Sequence, residues 1–333
     1  MLVSINLVVY NGEKYIKECL NSVFNQTYSN IEILVFDNNS KDDTLKIVRA
    51  LSKKSKFPIK IIENEKNHGF SVAQNKVFQL SKGEYVLVLC VDIVLDKNFV
   101  KESVKMFNNK EIGAIQSKTY CADWSSKEFQ KTNIIDTTGF LIFKSRRLVN
   151  RGHGQIDNGQ YNNSEEIFSQ EGACPIFRRK AIESVMINNQ FLDEDIFWYA
   201  TDIDLGWRMR LAGWKAYFNP KVIAYHDRPT TKRLSKGNLD FIKLRKTVPV
   251  KRKRLDYRNW RLVILKNSFY SNLLKDIFPF LFRELKLFIY ILFFETGTLK
   301  VIPDFFRLLP KILRKRKLIN RKINKKEIRK WFI

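Results

Sequence analysis

The chain has 333 residues, 44% of them hydrophobic, enough to bury one large core or two smaller ones. Its formal charge of +26 is uneven: residues 232–333 carry 29 Lys/Arg against 7 Asp/Glu, a net +22, and the rest carries a net +4. Cys19, Cys90, Cys121 and Cys174 lie far apart without metal-type pair spacing, which argues against a zinc site and for buried small apolar side chains.

The first 117 residues alternate strand and helix signals. Val3–Val9 reads as a first strand, with no charged leader or cleavage site ahead of it. Glu13–Gln26 follows as a helix with Tyr15, Ile16, Cys19, Leu20 and Val23 on one face. Ile31–Phe36 is an apolar strand, and Ser40–Leu51 a helix with Ser40 as N-cap and Asp42 and Asp43 in its first turn. The pattern continues with strand Ile59–Ile62, helix Ser71–Ser81, strand Tyr85–Leu89, helix Asn98–Phe107 and strand Ile112–Ser117. This predicts an α/β fold with a Rossmann-like, mostly parallel sheet, in which ligands collect at the carboxyl ends of the strands.

Lys118–Gln170 is rich in Gly, Asn, Asp and Arg and weakly periodic, and is expected to be a looped, substrate-facing insertion. Gly172–Val185 reads as a strand running into a helix. Asp202 and Asp204 are placed just ahead of a helical Leu205–Leu211 segment, and Ala216–Phe218 and Val222–Tyr225 as two short strands ending at His226. A boundary near residues 228–240 would separate residues 1–231 from a basic helical region, residues 232–333.

In that last region Phe278–Phe294 is dominated by Phe, Leu and Ile, yet its longest uncharged run, Leu287–Phe294, is far short of the roughly 20 residues of a spanning helix. Leu299, Ile302, Phe306, Leu309 and Leu313 recur at helical spacing beside Lys300, Arg307 and Lys311. Basic amphipathic segments of this kind suit an anionic membrane surface better than a nucleic-acid groove. A helical pair packed on the rest of the chain is the alternative.

Several polar residues fall where strands end. Tyr10-Asn11-Gly12-Glu13 follows the first strand, and Phe36-Asp37-Asn38-Asn39-Ser40 the second. Asp37 can accept the N–H of a uracil or thymine ring. Asn67-His68-Gly69-Phe70-Ser71 opens a helix, and Gly69 would let a ligand approach the backbone. Asp92 follows the strand Tyr85–Leu89. Asp202 and Asp204 stand among Leu, Trp and Arg, where carboxylates are costly unless something pairs with them or uses them.

In this order the residues resemble glycosyltransferase family 2 over residues 3–228, with a looser likeness in Arg258-Asn-Trp-Arg-Leu-Val-Ile-Leu-Lys-Asn267. The run Thr201-Asp-Ile-Asp-Leu-Gly-Trp-Arg208 is similar to the family's Glu-Asp-x-Asp-Leu-x-x-Arg, with Thr201 in place of the Glu. The resemblance implies a GT-A fold and a metal-dependent hexosyltransferase. It makes Asp202 the catalytic base, Asp204 and Arg208 its support, and Tyr10, Asn11, Asp37, Asn67 and Gly69 the nucleotide-binding residues. Asp92 and His226 would hold Mg²⁺ or Mn²⁺, with Cys90 and Val91 in place of the family's second carboxylate.

Gly139-Phe-Leu-Ile-Phe-Lys144, Arg151-Gly-His-Gly-Gln-Ile-Asp157 and Gly172-Ala-Cys-Pro-Ile-Phe-Arg-Arg179 resemble the bacterial rhamnosyltransferase branch. That branch implies a dTDP- or UDP-sugar donor, a lipid-linked glycan acceptor in surface polysaccharide synthesis, and a cytoplasmic enzyme on the inner face of the membrane. The alternatives are a same-family transferase with another sugar or a soluble acceptor, and a non-catalytic basic binding protein. Nucleic acid is not an expected partner.

Overall fold

A computed structural model describes residues 1–125, 128–228 and 245–333. The expected boundary at 231/232 lies outside the described residues. Among these residues the strands β1 (Val3–Val9), β2 (Ile31–Asp37), β3 (Ile59–Glu63), β4 (Tyr85–Cys90), β5 (Ile93–Leu95), β6 (Ile112–Asp123), β7 (Gln130–Thr137), β10 (Glu165–Ile167), β11 (Ile176–Arg178) and β12 (Lys215–His226) form one sheet. Its order is β10-β12-β6-β11-β4-β1-β2-β3, with β5 on β12 and β7 on β6. The β3-β2-β1-β4 half is parallel, as is β6 with β12, and the short β11 runs antiparallel between them. A separate hairpin pairs β8 (Phe140–Ile142) with β9 (Leu148–Asn150).

Both faces of the parallel half are covered, as continuous apolar strands require. Val3, Ile5, Leu7 and Val9 of β1 and Tyr85, Leu87 and Leu89 of β4 pack with Ile16, Cys19, Leu20 and Val23 of helix α1 (Ile16–Phe24). Helices α2 (Thr44–Ser52) and α4 (Phe99–Met106) add Val48, Phe99 and Val100 to this cluster. On the opposite face Val86 and Val88 meet α3 (Phe70–Leu80), α5 (Arg179–Glu183) and α6 (Thr201–Leu211) through Phe78, Ala181, Leu205 and Met209.

The last third wraps onto α6. Helices α7 (Val250–Asn267), α8 (Tyr270–Lys275), α9 (Ile277–Phe294), α10 (Ile302–Lys317) and α11 (Lys325–Arg329) follow in order, with a 3₁₀ segment Thr296–Val301 before α10. Trp260, Val263 and Ile264 of α7, Leu308 and Ile312 of α10 and Phe332 enclose Ile203, Trp207 and Leu211 of α6. The chain end closes on the hairpin, where the Ile333 N–H donates to the Ile142 carbonyl at 3.1 Å. Helix α9 differs from its neighbours: only Ile291 is buried, and Phe278 is 84% exposed. Among the described residues no helix is long and apolar enough to cross a membrane.

Four local expectations are corrected. Ser40 does not cap α2, which starts at Thr44 with Asp43 as its N-cap; Ser40 Oγ instead donates to Asp37 Oδ1 at 2.5 Å. Lys118–Gln170 is not chiefly loop, because β6 runs on to Asp123 and β7–β10 lie in that segment. Asp202 and Asp204 sit inside the first turn of α6, not ahead of it. The two strands expected after Trp214 are one strand, β12, with an irregularity between Asn219 and Ile223 where the break was expected. The four cysteines form no disulfide; Cys19 and Cys174 are buried and Cys90 and Cys121 half-buried.

Candidate active site

The loops after β1, β2 and β3 lie side by side because their strands are in parallel register, Val9 opposite Asp37 and Asp37 opposite Glu63. Asn11 has a left-handed backbone (φ 48°), accepts the Lys41 N–H on Oδ1 at 2.8 Å and donates its own N–H to Ser40 Oγ at 3.0 Å. The buried Asn38 donates from Nδ2 to Asn67 Oδ1 at 2.8 Å and accepts the His68 N–H at 3.1 Å. Asp37 is 3% exposed and receives the Ser40 N–H and hydroxyl. Tyr10 stays exposed. Tyr10, Asn11, Asp37, Asn67 and Gly69 are thus gathered at one strand-end edge.

Gly69 has φ +85°, and a Cβ there would come within 2.5 Å of Phe197 Cε2. The glycine makes room for the Phe197 ring, which fills the side that a Cβ would occupy. Gly12 is held close to Val91, where a Cβ would meet Cγ2 at 2.9 Å, and this brings the β1 loop against the segment carrying Asp92.

Asp92 and His226 are neighbours, His226 Nε2 lying 3.4 Å from Asp92 Oδ2. The other ring nitrogen, Nδ1, is 2.9 Å from Oδ2 of Asp136 at the end of β7. Arg228 continues the array, its Nε 2.9 Å from Asp136 Oδ1 and its Nη2 2.9 Å from Glu171 Oε1. His153 Nδ1 approaches the Asp136 carbonyl at 2.8 Å. Burial opposes the charge on Asp136, but Arg228, His153 and His226 hold its carboxyl far below the usual range. Burial would lower the His226 pKa, yet Asp92 and Asp136 push it up to about 10.

Asp136, Glu171, Arg228 and His153 therefore belong to the site, and the first three are absent from the sequence reading. Asp-Thr-Thr-Gly139 after an alternating run, and an Arg two residues beyond His226, were the available signals.

Among the described residues no group of three or more His, Cys, Asp or Glu is arranged to hold a metal. The pair Asp92 and His226 fits a cation whose remaining positions go to diphosphate oxygens and water. A cation bound there would displace the Nε2 proton of His226, and Asp136 would keep the Nδ1 proton in place, the usual outer-shell arrangement of a metal-binding histidine.

Asp202 lies beyond Glu171. Its Oδ1 accepts the Ile203 N–H at 2.8 Å. Gly172 backs it so closely that a Cβ there would sit 2.8 Å from the Asp202 Cβ. Burial, followed by the like charge of Glu171, raises the Asp202 carboxyl from 3.8 to about 7, against opposing contributions from the Ile203 N–H and Arg228. An ordinary Asp carboxyl titrates at about 3.9 and would be fully ionised at neutral pH.

Asp204 has a different environment. It is fully buried and receives Arg208 Nε at 3.0 Å, Lys266 Nζ at 2.9 Å and Asn267 Nδ2 at 2.8 Å. Burial works against ionisation, but Lys266 and Arg208 lower its pKa. Arg208 also donates to the carbonyls of Val185 and Phe191, at 2.5 Å each. Arg210 turns away to Glu166 and the Ile167 carbonyl. Thr201 is buried and donates its hydroxyl to the Trp198 carbonyl at 3.1 Å. Asp204 and Arg208 thus hold α6 in place, and of the two aspartates Asp202 is the half-buried residue and Asp204 the fully buried one.

A mostly parallel sheet with loops over one strand-end edge and an acidic first turn on α6 defines a GT-A fold. The sequence pattern of glycosyl transferase family 2 matches residues 4–186, and the chain belongs to that family. It is 26% identical over 256 residues to a dolichyl N-acetyl-α-D-glucosaminyl phosphate 3-β-D-2,3-diacetamido-2,3-dideoxy-β-D-glucuronosyltransferase of Methanococcus voltae, covering 72% of this chain and 71% of that one.

Its fold is similar to that of S. aureus TarS 1–349 in complex with UDP, with a TM-score of 0.53, 17% identity and coverage of 96% of this chain and 88% of that one. It is also similar to the mannosyltransferase PcManGT of Pyrobaculum calidifontis in complex with GDP-Man and Mn²⁺, with a TM-score of 0.50, 15% identity and coverage of 96% and 86%. The chain spans 46% and 42% of the lengths of two further curated glycosyltransferases that it matches.

Proposed function

We propose that this chain is an inverting, divalent-cation-dependent glycosyltransferase that moves a sugar from a nucleoside diphosphate to an acceptor hydroxyl. The observation that carries this reading is the contrast at the start of α6: Asp204 is locked by Lys266 and Arg208, while the half-buried Asp202 has no cationic partner in hydrogen-bond contact among the described residues and a pKa raised to about 7. A general base works best with a pKa near the operating pH.

The nucleotide would lie across the loops of Tyr10, Asn11, Asp37, Asn67 and Gly69, with Asp37 accepting a pyrimidine N–H. Asp92 and His226 would hold the cation on the diphosphate. When bound, the cation offsets negative charge on the departing diphosphate. Asp202 would take the proton of the acceptor hydroxyl as that oxygen attacks the anomeric carbon from the face opposite the leaving group.

The finer assignments are a deoxythymidine or uridine diphosphate donor with rhamnose as the leading sugar, a lipid-linked glycan acceptor, and residence on the inner face of the membrane. The likeness of Arg151–Asp157 and Gly172–Arg179 to the rhamnosyltransferase branch supports the sugar. A relative named for a dolichyl phosphate glycan supports the acceptor. The exposed Phe278, Phe282, Leu285 and Phe293 of α9, in a region of net charge +22, support contact with an anionic membrane.

Calorimetric titration with UDP, dTDP and their sugars, with and without Mn²⁺, tests the reading. Metal-dependent binding of a nucleotide-sugar is expected, and a protein that binds none of them would be a non-catalytic relative.

A further inference from the structure

The segment Ile196–Ala200 joins three parts of the molecule. Asn259 of α7, fully buried, donates both amide hydrogens into it, to the Ile196 carbonyl at 2.6 Å and the Tyr199 carbonyl at 2.8 Å. Ser71, in the first turn of α3, donates its hydroxyl to the Phe197 carbonyl at 2.5 Å. The Phe197 ring fills the space beside Gly69. At its other end the segment runs directly into the first turn of α6, and Thr201 ties back to the Trp198 carbonyl.

This segment is strained and carries an exposed aromatic. Phe197 and Ala200 have φ of 73° and 69°, a left-handed backbone that costs non-glycine residues about 1–3 kcal/mol. Between them Trp198 is 50% exposed, its ring stacked on Tyr199 at 4.8 Å and 24°. Arg252 of α7 lies 4.7 Å over the Tyr199 ring. Three separate elements therefore fix the backbone around an indole that is itself left half in water. Thr201, where the family pattern has Glu, is buried and unavailable to a ligand.

We infer that Trp198 is an acceptor-binding residue, a flat platform for the ring of a pyranose four positions ahead of Asp202, and that Asn259 is the positioning residue that sets it. The inference rests on the proposed glycosyltransferase reading. A pyranose presents a C–H face that packs on an aromatic face and hydroxyls that can meet the indole N–H, the amphipathic pairing for which Trp is suited. The Arg258–Asn267 segment thereby gains a role: it ties the last third of the chain to the acceptor side through Asn259 and to α6 through Lys266 and Asn267.

Saturation-transfer NMR on the full chain loaded with UDP and Mn²⁺, using a panel of methyl pyranosides as probes, tests this. At least one pyranoside should bind through its ring protons. Trp198→Ala should weaken that binding about tenfold or more, the scale of one aromatic contact. Trp198→Phe should largely restore it, Asn259→Ala should weaken it, and UDP affinity should be the same in all three variants. Wild-type pyranoside binding by Trp198→Ala, or no pyranoside binding by the UDP-loaded protein, would overturn the inference. Failure of the wild type to bind UDP would instead overturn the reading beneath it.

Discussion

Lys266 Nζ of α7 lies 2.9 Å from Asp204 Oδ2 and 2.6 Å from Asp193 Oδ2, with all three side chains buried. One ammonium from the basic last third thus anchors the first turn of the helix that carries Asp202. Removing one partner of a buried, hydrogen-bonded ion pair leaves the other charges uncompensated and typically costs about 3–5 kcal/mol. Lys266→Ala should destabilise the fold by about that amount in urea titration. A loss below about 1 kcal/mol would show that Asp204 does not depend on it.

The raised pKa of Asp202 has consequences for rate and for stability. As the proposed base Asp202 would act only when deprotonated, so transfer should fall as pH drops through about 7. Its carboxyl holds a proton more tightly in the folded chain (about 7) than at the ordinary 3.8, so its contribution to stability declines as pH rises between those values. Asp202→Asn should therefore raise the thermal midpoint at pH 8 and leave it nearly unchanged at pH 4. Equal shifts at both pH values would contradict a buried, proton-retaining carboxyl.

Asp136 tests the cation site without altering a proposed ligand. Its hydrogen bond to His226 Nδ1 at 2.9 Å orients the imidazole towards Asp92. Loss of such an outer-shell partner usually weakens metal binding by about 10–100-fold. Asp136→Asn should lower Mn²⁺ affinity of the UDP-bound protein by that factor, as read by calorimetry. Asp92→Ala should abolish the metal dependence of nucleotide binding. Unchanged Mn²⁺ affinity in both variants would move the cation elsewhere.

The βαβ half was legible because its strands are buried on both faces and its helices carry their own apolar stripe, both local signals. Lys118–Gln170 was not, because the Lys118–Asp123 end of β6 and most of β7 and β10 are polar, and their pairing with β12 or each other depends on distant partners. The start of α6 was misplaced by four residues. Asp202 and Asp204 read as helix-preceding residues, but Lys266 and Arg208 neutralise Asp204 within the helix. Asp136, Glu171 and Arg228 escaped for a related reason: each is ordinary in sequence and they meet only because Arg228, just past β12, reaches both Asp136 of β7 and Glu171. The basic region could be recognised as helical, yet Lys266, Lys315 and Arg258 are buried, so much of its charge is not surface.

Helix α9 should be the membrane-contacting element. Phe278, Phe282 and Leu285 are exposed on one side of it, and burying each in a bilayer interface would favour binding by about 1.5–3 kcal/mol at full burial. Changing all three to Ser should release the protein from anionic vesicles in co-sedimentation. Wild-type binding should weaken with salt, because exposed charges are screened beyond about 8–10 Å in physiological buffer. Equal partitioning of wild type and triple variant would rule out α9.

The assignment of Asp202 as the base is tested most directly by single-turnover transfer, with nucleotide-sugar binding measured in parallel on Asp202→Asn and Asp204→Asn. Asp202→Asn preserves the side-chain shape but cannot accept a proton, and loss of a general base costs about 10²–10⁴ in rate. That loss is expected with donor binding intact, and a smaller effect on chemistry from Asp204→Asn, whose damage should be to stability. Transfer at the wild-type rate by Asp202→Asn, or a larger catalytic loss in a folded, donor-binding Asp204→Asn, would contradict the assignment.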